Sequence, residues 1–386
     1  MSSPDLTQRA PDYVRAIAPY QGGRPIGEIA RRFGFSEDQV VKLASNENPL
    51  GMSPQAKKAM LRASEDLGRY PDGNGFELKQ AIAKKFGLPE NTITLGNGSN
   101  DILELVAHTF LKPGVDSVYS DHSFAVYALA TQASGARAVV VPADPQTLGN
   151  DLVALSKAIS DQTAVVWLAN PNNPTGSFLP GPAVRAFLKD LPSSTLLVLD
   201  EAYTEFLSPE DRYNAFEWVG DSPNLLVSRS FSKAYGLAGL RVGYGVAHSE
   251  VTDLLNRVRQ PFNVNSLAQA AAAAALFDDE FLETSYNCNR AGLAQLTTGL
   301  TAMGFGVLPS RGNFVLVDLA VRGPAKTSGA ALGASVFEAL LAKGVITRPV
   351  GNYGLPNHLR VSIGTAAENQ AFLQALQAVT TALWSC

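Results

Sequence analysis

Between residue 90 and about residue 250 the apolar positions come in short runs, separated by longer stretches with helical spacing. The runs Thr92–Leu95, Ser117–Tyr119, Ala138–Val141, Ala164–Leu168, Leu196–Leu199, Leu225–Ser228 and Gly243–Val246 predict strands. Several are apolar at odd and even positions alike, as strands covered on both faces require. Asn100–Phe110, Ala125–Ser134 (closed by Gly135), Leu152–Ile159 and Ala183–Leu188 predict helices between them. Such alternation predicts an α/β fold with a mostly parallel central sheet. Ligands of these sheets sit beyond the carboxyl ends of the strands.

The flanks read differently. Gly75–Phe86 predicts a helix stopped by Gly87 with Pro89 beyond. Ser266-Leu-Ala-Gln269 reads as a capping box opening an Ala-rich helix to Phe277. A long helix follows from Asp279 to Met303, then a strand (Phe314–Val317), a helix (Ala331–Lys343), two strands (Val345–Thr347 and Leu359–Ile363) and a terminal helix. The expected organisation is an N-terminal arm (1–50, rich in Gly and Pro), a large α/β domain (51–265) and a smaller α+β domain (266–386).

Composition narrows the function class. Of 386 residues 46% are hydrophobic, and 31 Lys and Arg face 35 Asp and Glu for a net charge of −4. A disordered chain would be far more polar, and nucleic-acid binding would need a basic excess. Charged residues make up only 17%, against about 25% in an average domain. The two Cys, Cys288 and Cys386, form neither a disulfide framework nor a zinc spacing, which points to a reducing, cytoplasmic setting. The four His never fall at i,i+3 or i,i+4, so no metal is expected. The N-terminus lacks the apolar run of a signal peptide, and no membrane span is expected.

Four segments carry chemistry. Gly96-Asn-Gly98-Ser99-Asn100-Asp101 joins a strand to a helix. Its glycines let backbone approach a ligand, and free N–H groups at the helix start suit a phosphate; a plain turn with a helix cap explains it as well. Asn170-Pro-Asn-Asn173-Pro-Thr-Gly176 fixes a turn that presents an amide, or is simply an Asx turn. Asp200 ends an apolar strand, where a carboxylate is costly without a partner, and Tyr203 follows three residues on. Ser228-Arg-Ser230-Phe-Ser232-Lys233 continues through Gly236 and Gly239 to Arg241. A lysine in so small and apolar a setting is a candidate desolvated, nucleophilic amine. A nucleophilic Lys, a strand-end Asp and a phosphate cradle together fit pyridoxal 5'-phosphate (PLP).

In this order, GNGSND, NPNNPTG, DEAY and SFSKAYGLAGLR resemble the PLP-dependent aminotransferases of fold type I. Pro19-Tyr20, KLASNENPLG from Lys42, Tyr70-Pro-Asp72, Arg348-Pro-Val and Leu359-Arg360-Val-Ser-Ile-Gly364 extend the resemblance to the histidinol-phosphate aminotransferases. The resemblance implies that Lys233 makes the covalent link to the cofactor and moves the substrate's proton. Asp200 would pair with the pyridine nitrogen, and Tyr203 and Asn173 would bond the ring oxygen. Phe124 would stack on the ring, although many relatives have Pro where this chain has His122. Ser99, Asn100, Ser230, Ser232 and Arg241 would surround the phosphate, and Tyr70 would reach it from the second subunit of a homodimer. Arg360 would grip the α-carboxylate of glutamate or 2-oxoglutarate; Arg348 and Tyr20 would bind the substrate phosphate. Phe262 stands where some relatives have Tyr.

The implied reaction exchanges the amino group between L-histidinol phosphate and 2-oxoglutarate. Its rivals are aromatic amino-acid transamination and decarboxylation of a phosphorylated amino acid; a non-catalytic PLP-sensing module ranks behind both. An extensive apolar dimer interface would also account for the low charge density.

Overall fold

Seven of the apolar runs become one sheet. The computed structural model describes residues 6–20, 22–323 and 331–384, so Cys386 lies outside the described residues. In chain order the strands are β1 (Val41–Lys42), β2 (Ile93–Gly96), β3 (Asp116–Ser120), β4 (Arg137–Val141), β5 (Thr163–Ala169), β6 (Leu196–Asp200) and β7 (Leu225–Ser230). They continue with β8 (Gly243–Ala247), β9 (Gly306–Leu308), β10 (Phe314–Asp318), β11 (Val345–Ile346), β12 (Arg348–Val350) and β13 (Leu355–Ser362). The large sheet has the order β2-β8-β7-β6-β5-β3-β4. Its pairs are parallel except at β8, which runs against both β2 and β7.

Side-chain alternation explains why these strands are apolar throughout. Val165, Trp167, Leu196, Val198 and Leu226 enter one core, together with Ile102, Leu103 and Val106 of the helix Ser99–Phe110. Val166, Leu168, Leu197, Leu199, Leu225 and Val227 enter the other, with Leu78 and Ile82 of Phe76–Phe86 and the alanines of Ser266–Ala275. Every second residue of a strand therefore feeds a different helical layer. Arg229 turns into the second layer's side of the sheet. There it donates twice to Glu201 Oε2, at 2.9 and 2.8 Å, and lies over the Phe216 ring at 4.1 Å. Both charges are buried, and each depends on the other.

The C-terminal unit is the antiparallel sheet β12-β13-β10-β9, packed against the long helices Asp279–Ala302 and Ala366–Trp384. Within the N-terminal segment, residues 26–46 pack against this unit. The helix Ile26–Phe33 buries Ile29 and Ala30 against Leu341 and Ile346, and β1 pairs in parallel with β11. Ile26, Ile29, Ala30 and Phe33 stand at i, i+3, i+4 and i+7, a helical period, whereas the two-residue β1 has none.

Two expectations need correction. The Ala-rich helix is capped one residue earlier than a capping box at Ser266 requires: the Asn265 side chain accepts from the Ala268 N–H at 2.9 Å. Gln269 reaches instead to the carbonyls of Asp72 and Val264. β13 begins at Leu355, ahead of the expected Leu359, because Leu355 pairs with Val350 of β12 across a register shift. Helices Pro54–Ala63 and Ser249–Val258 and strands β9 and β12 were not expected.

Candidate active site

Beyond the carboxyl ends of the parallel strands lies a cleft of about 320 Å³. Its walls include every candidate site residue except Tyr70. One end is a cradle. β2 ends at Gly96, the chain turns through Gly98 (φ 84°), and Ser99 starts a 12-residue helix with no side-chain cap. A Cβ on Gly98 would lie 2.3 Å from Arg241 Nη2, and one on Gly243 would lie 2.5 Å from the Ser99 nitrogen. The glycines thus let three strand ends close on one another. Arg241, itself left-handed at φ 59°, donates to Ser232 Oγ at 3.5 Å and to the Asn97 carbonyl at 3.4 Å. Uncapped helix N–H groups, Ser230, Ser232 and a guanidinium suit a bound anion.

The middle of the cleft holds the amine and a carboxylate. Lys233 Nζ donates to the Ser45 carbonyl at 3.1 Å. Burial, with repulsion from Arg360 and Arg241, pushes its pKa down to about 8. Asp200 ends β6, and burial pushes its pKa up to about 6 against the pull of the Tyr127 hydroxyl, which donates to Oδ2 at 2.8 Å. Its Oδ1 is buried with no hydrogen-bond partner among the described residues. Tyr127 is held in turn: its ring stacks on Trp167 at 5.3 Å, and its carbonyl accepts from Thr131. The Tyr203 hydroxyl accepts from Asn46 Nδ2 at 2.9 Å, which leaves its own proton to donate. Burial pushes the Tyr203 pKa up to about 12, so it stays a donor at neutral pH.

The far wall comes from β13 and the turn before it. Arg360 is buried, and its guanidinium donates to Asn173 Oδ1 at 2.6 Å and to the Ala44 carbonyl at 2.7 Å. Its Nε has no partner, and no carboxylate pairs with it among the described residues. A buried cation in that state is a receptor for a carboxylate. At the mouth, Arg348 donates to the Tyr20 hydroxyl at 3.4 Å.

Phe124 lines the cleft edge-on to Tyr127. His122, two residues earlier, has φ 51°, a value the proline ring excludes; this loop therefore differs from one with Pro at that position. Tyr70 stands apart: it is 82% exposed and stacks on Phe262 at 4.8 Å.

Sequence reading missed Ser45, Asn46, Tyr127 and Tyr353. Ser45 and Asn46 lie within the KLASNENPLG segment, which carried the family resemblance without a role for either residue. Tyr127 looked like one more apolar helix position. Tyr353 had no signal.

The residues present fit PLP on three counts: an orphaned, buried carboxylate oxygen at Asp200, a cradle that any Cβ at Gly98 or Gly243 would fill, and a desolvated lysine between them.

Comparisons with known proteins agree with this chemistry. The family model described as aminotransferase class I and II matches residues 38–376. Histidinol-phosphate aminotransferase 2 of Ralstonia nicotianae is 59% identical over 96% of this chain and 96% of its own. Histidinol-phosphate aminotransferase 1 of Cupriavidus pinatubonensis is 58% identical over 95% of each. Among solved structures, histidinol-phosphate aminotransferase from Sinorhizobium meliloti in complex with pyridoxal-5'-phosphate superposes with a TM-score of 0.86, at 29% identity, over 97% of this chain and 98% of that one.

Proposed function

The chain belongs to the class I and II aminotransferases, and from that premise we propose that its cleft performs the reversible PLP-dependent transamination that interconverts L-histidinol phosphate and 2-oxoglutarate with imidazole-acetol phosphate and L-glutamate, in histidine biosynthesis. The observation that carries this reading is the buried Arg360, without a carboxylate partner among the described residues, in one cleft with Lys233 and Asp200.

PLP, when bound, supplies an electron sink for the bond breaking at the amino-bearing carbon. Everything else falls to the chain. Ser99, Asn100, Ser230, Ser232 and Arg241 would hold the cofactor's phosphate. Asp200 would pair with the ring nitrogen and favour its protonated form. Tyr203 and Asn173 would bond the ring oxygen, and Phe124 would pack on the ring. Lys233, with a pKa near 8, is neutral often enough to take the substrate's proton and acidic enough to return it. Arg360 binds the α-carboxylate in a two-pronged contact that lysine cannot copy. Arg348 and Tyr20 receive the substrate phosphate at the mouth.

The site is read as complete only in a homodimer, with Tyr70 of the second subunit reaching the cofactor phosphate. Its exposure beside Leu67, Phe76 and Phe262, each at least 45% exposed, supports this. No helix among the described residues is long and apolar enough to cross a membrane. A cytoplasmic location is part of the proposal.

The test is kcat/KM with L-glutamate as donor, comparing imidazole-acetol phosphate with phenylpyruvate. A phosphate-binding site should favour the former by at least about 100-fold. Preference for phenylpyruvate, or release of carbon dioxide without a keto acid, overturns the reading.

A further inference from the structure

His122 occupies a backbone region that few residues other than glycine adopt, next to the loop that presents Phe124. Such a conformation persists where its surroundings over-determine it, and here both ends of the residue are tied. Its ring Nδ1 meets the carbonyl oxygen of Tyr353, so this nitrogen carries the proton and donates. Its own carbonyl accepts from Asn172 Nδ2 at 3.0 Å.

Followed outward, the two ties close a circuit. Asn172 adjoins Asn173, whose side-chain oxygen takes the Arg360 guanidinium at 2.6 Å. Arg360 lies on β13, which begins at Leu355, two residues beyond Tyr353. Tyr353 lines the cleft, is 8% exposed and packs on Ala125, the residue after Phe124. The circuit thus runs from His122 through Tyr353, β13, Arg360 and Asn173–Asn172 back to His122. It spans the gap between the large sheet's loops and the C-terminal unit, and its far side is the wall that faces substrate.

We infer that His122 is a positioning residue that ties the Phe124 loop to the substrate-facing wall at Tyr353 and Arg360, and so sets affinity for the amino and keto substrates rather than for the cofactor. The inference rests on the transaminase reading of the cleft. Of the residues read as meeting the cofactor, Asn173 and the Phe124 loop belong to the circuit, whereas its principal anchors, Lys233, Asp200 and the cradle around Arg241, lie outside it.

Two variants separate the ring from the backbone. His122→Gly accepts the left-handed conformation and removes the donor. His122→Asn tolerates the same conformation and places an amide N–H close to where Nδ1–H stood. In the holoenzyme, His122→Gly should raise KM for glutamate roughly tenfold, the effect of one lost hydrogen bond, while kcat changes less than about threefold. PLP affinity, measured by equilibrium dialysis of the cofactor-free chain, should stay within about twofold, and His122→Asn should recover most of the KM. The tie is also read without turnover: amide hydrogen exchange over residues 351–354 should quicken in His122→Gly and slow again in His122→Asn. An unchanged KM in His122→Gly, an Asn variant as impaired as the Gly variant, or PLP affinity falling in step with KM overturns the inference. Unchanged exchange at 351–354 overturns it even if the wild-type enzyme proves to use other substrates. Wild-type turnover of imidazole-acetol phosphate tests the underlying reading separately.

Discussion

Arg360 and Asn173 meet across the cleft, guanidinium to side-chain oxygen, at 2.6 Å. One belongs to an antiparallel strand near the C-terminus, the other to the turn after β5, 187 positions earlier in the chain. A neutral amide only partly satisfies a buried guanidinium. The pair therefore holds a cation ready, and the group it awaits is an anion with two oxygens.

Arg360→Lys keeps the charge and loses the fork. It should lower kcat/KM for glutamate about 100-fold, mainly through KM, because a two-pronged charged contact is worth about 2–3 kcal/mol. Steady-state kinetics check this, and a change below about threefold would remove Arg360 from substrate binding.

Lys233→Ala should abolish turnover, and borohydride reduction of the loaded wild-type protein should fix the cofactor on Lys233, identified by peptide mapping. The amine is reactive only when neutral. With a pKa lowered to about 8, the rate at which the cofactor-free chain captures PLP should rise with pH through about 8 and level off above it. A midpoint near the ordinary lysine value of about 10.4 would contradict the burial argument.

Asp200 makes the cofactor-free chain weaker. Its pKa is raised from 3.8 to about 6 on folding, so the folded state holds the extra proton between those values. Stability therefore falls as pH rises through that window. Asp200→Asn should stabilise the cofactor-free chain above pH 6, by at most about 3 kcal/mol, with the gain vanishing below the unfolded value. The same variant should lose most of its PLP affinity. Urea unfolding at several pH values measures the first effect, and a loss of stability at pH 7 would refute it.

Tyr70 offers a test of subunit exchange. Tyr70→Ala and Lys233→Ala should each be impaired alone. Unfolded and refolded together, they should regain about a quarter of the wild-type sites, since half the dimers are mixed and each mixed dimer has one intact site. No recovery would place Tyr70 outside the shared site.

The large sheet was legible because its strands are apolar on both faces and bounded by glycine, proline and helical periods. The site was legible where chemistry is written locally, as in the serines and glycines around Lys233. What escaped notice depends on contacts distant in sequence. Tyr127 donates to Asp200 from 73 residues away, and its side chain looks like any aromatic on a buried helix face. Ser45 serves Lys233 through a backbone carbonyl, which every residue possesses. His122 was marked as a departure from relatives, but only its φ of 51° and its bond to Tyr353 explain what the departure does. The helix at 26–33 was legible from Ile26, Ile29, Ala30 and Phe33, one face at helical spacing, and went unread; the two-residue β1 leaves too few positions for a period to emerge.

β8 is the last of the large sheet's strands to be synthesised, yet it lies between β2 and β7. Its first residue, Gly243, is paired with Gly96 on one side and Ser230 on the other. The proposed phosphate cradle is thus a single row across three strands, closed by its latest member. A nascent chain ending before residue 243 has the cradle's serines and Arg241 but not the strand that sets β2 beside β7. A ligand held by that row binds the finished topology best and, by mass action, stabilises it over states in which the row is incomplete.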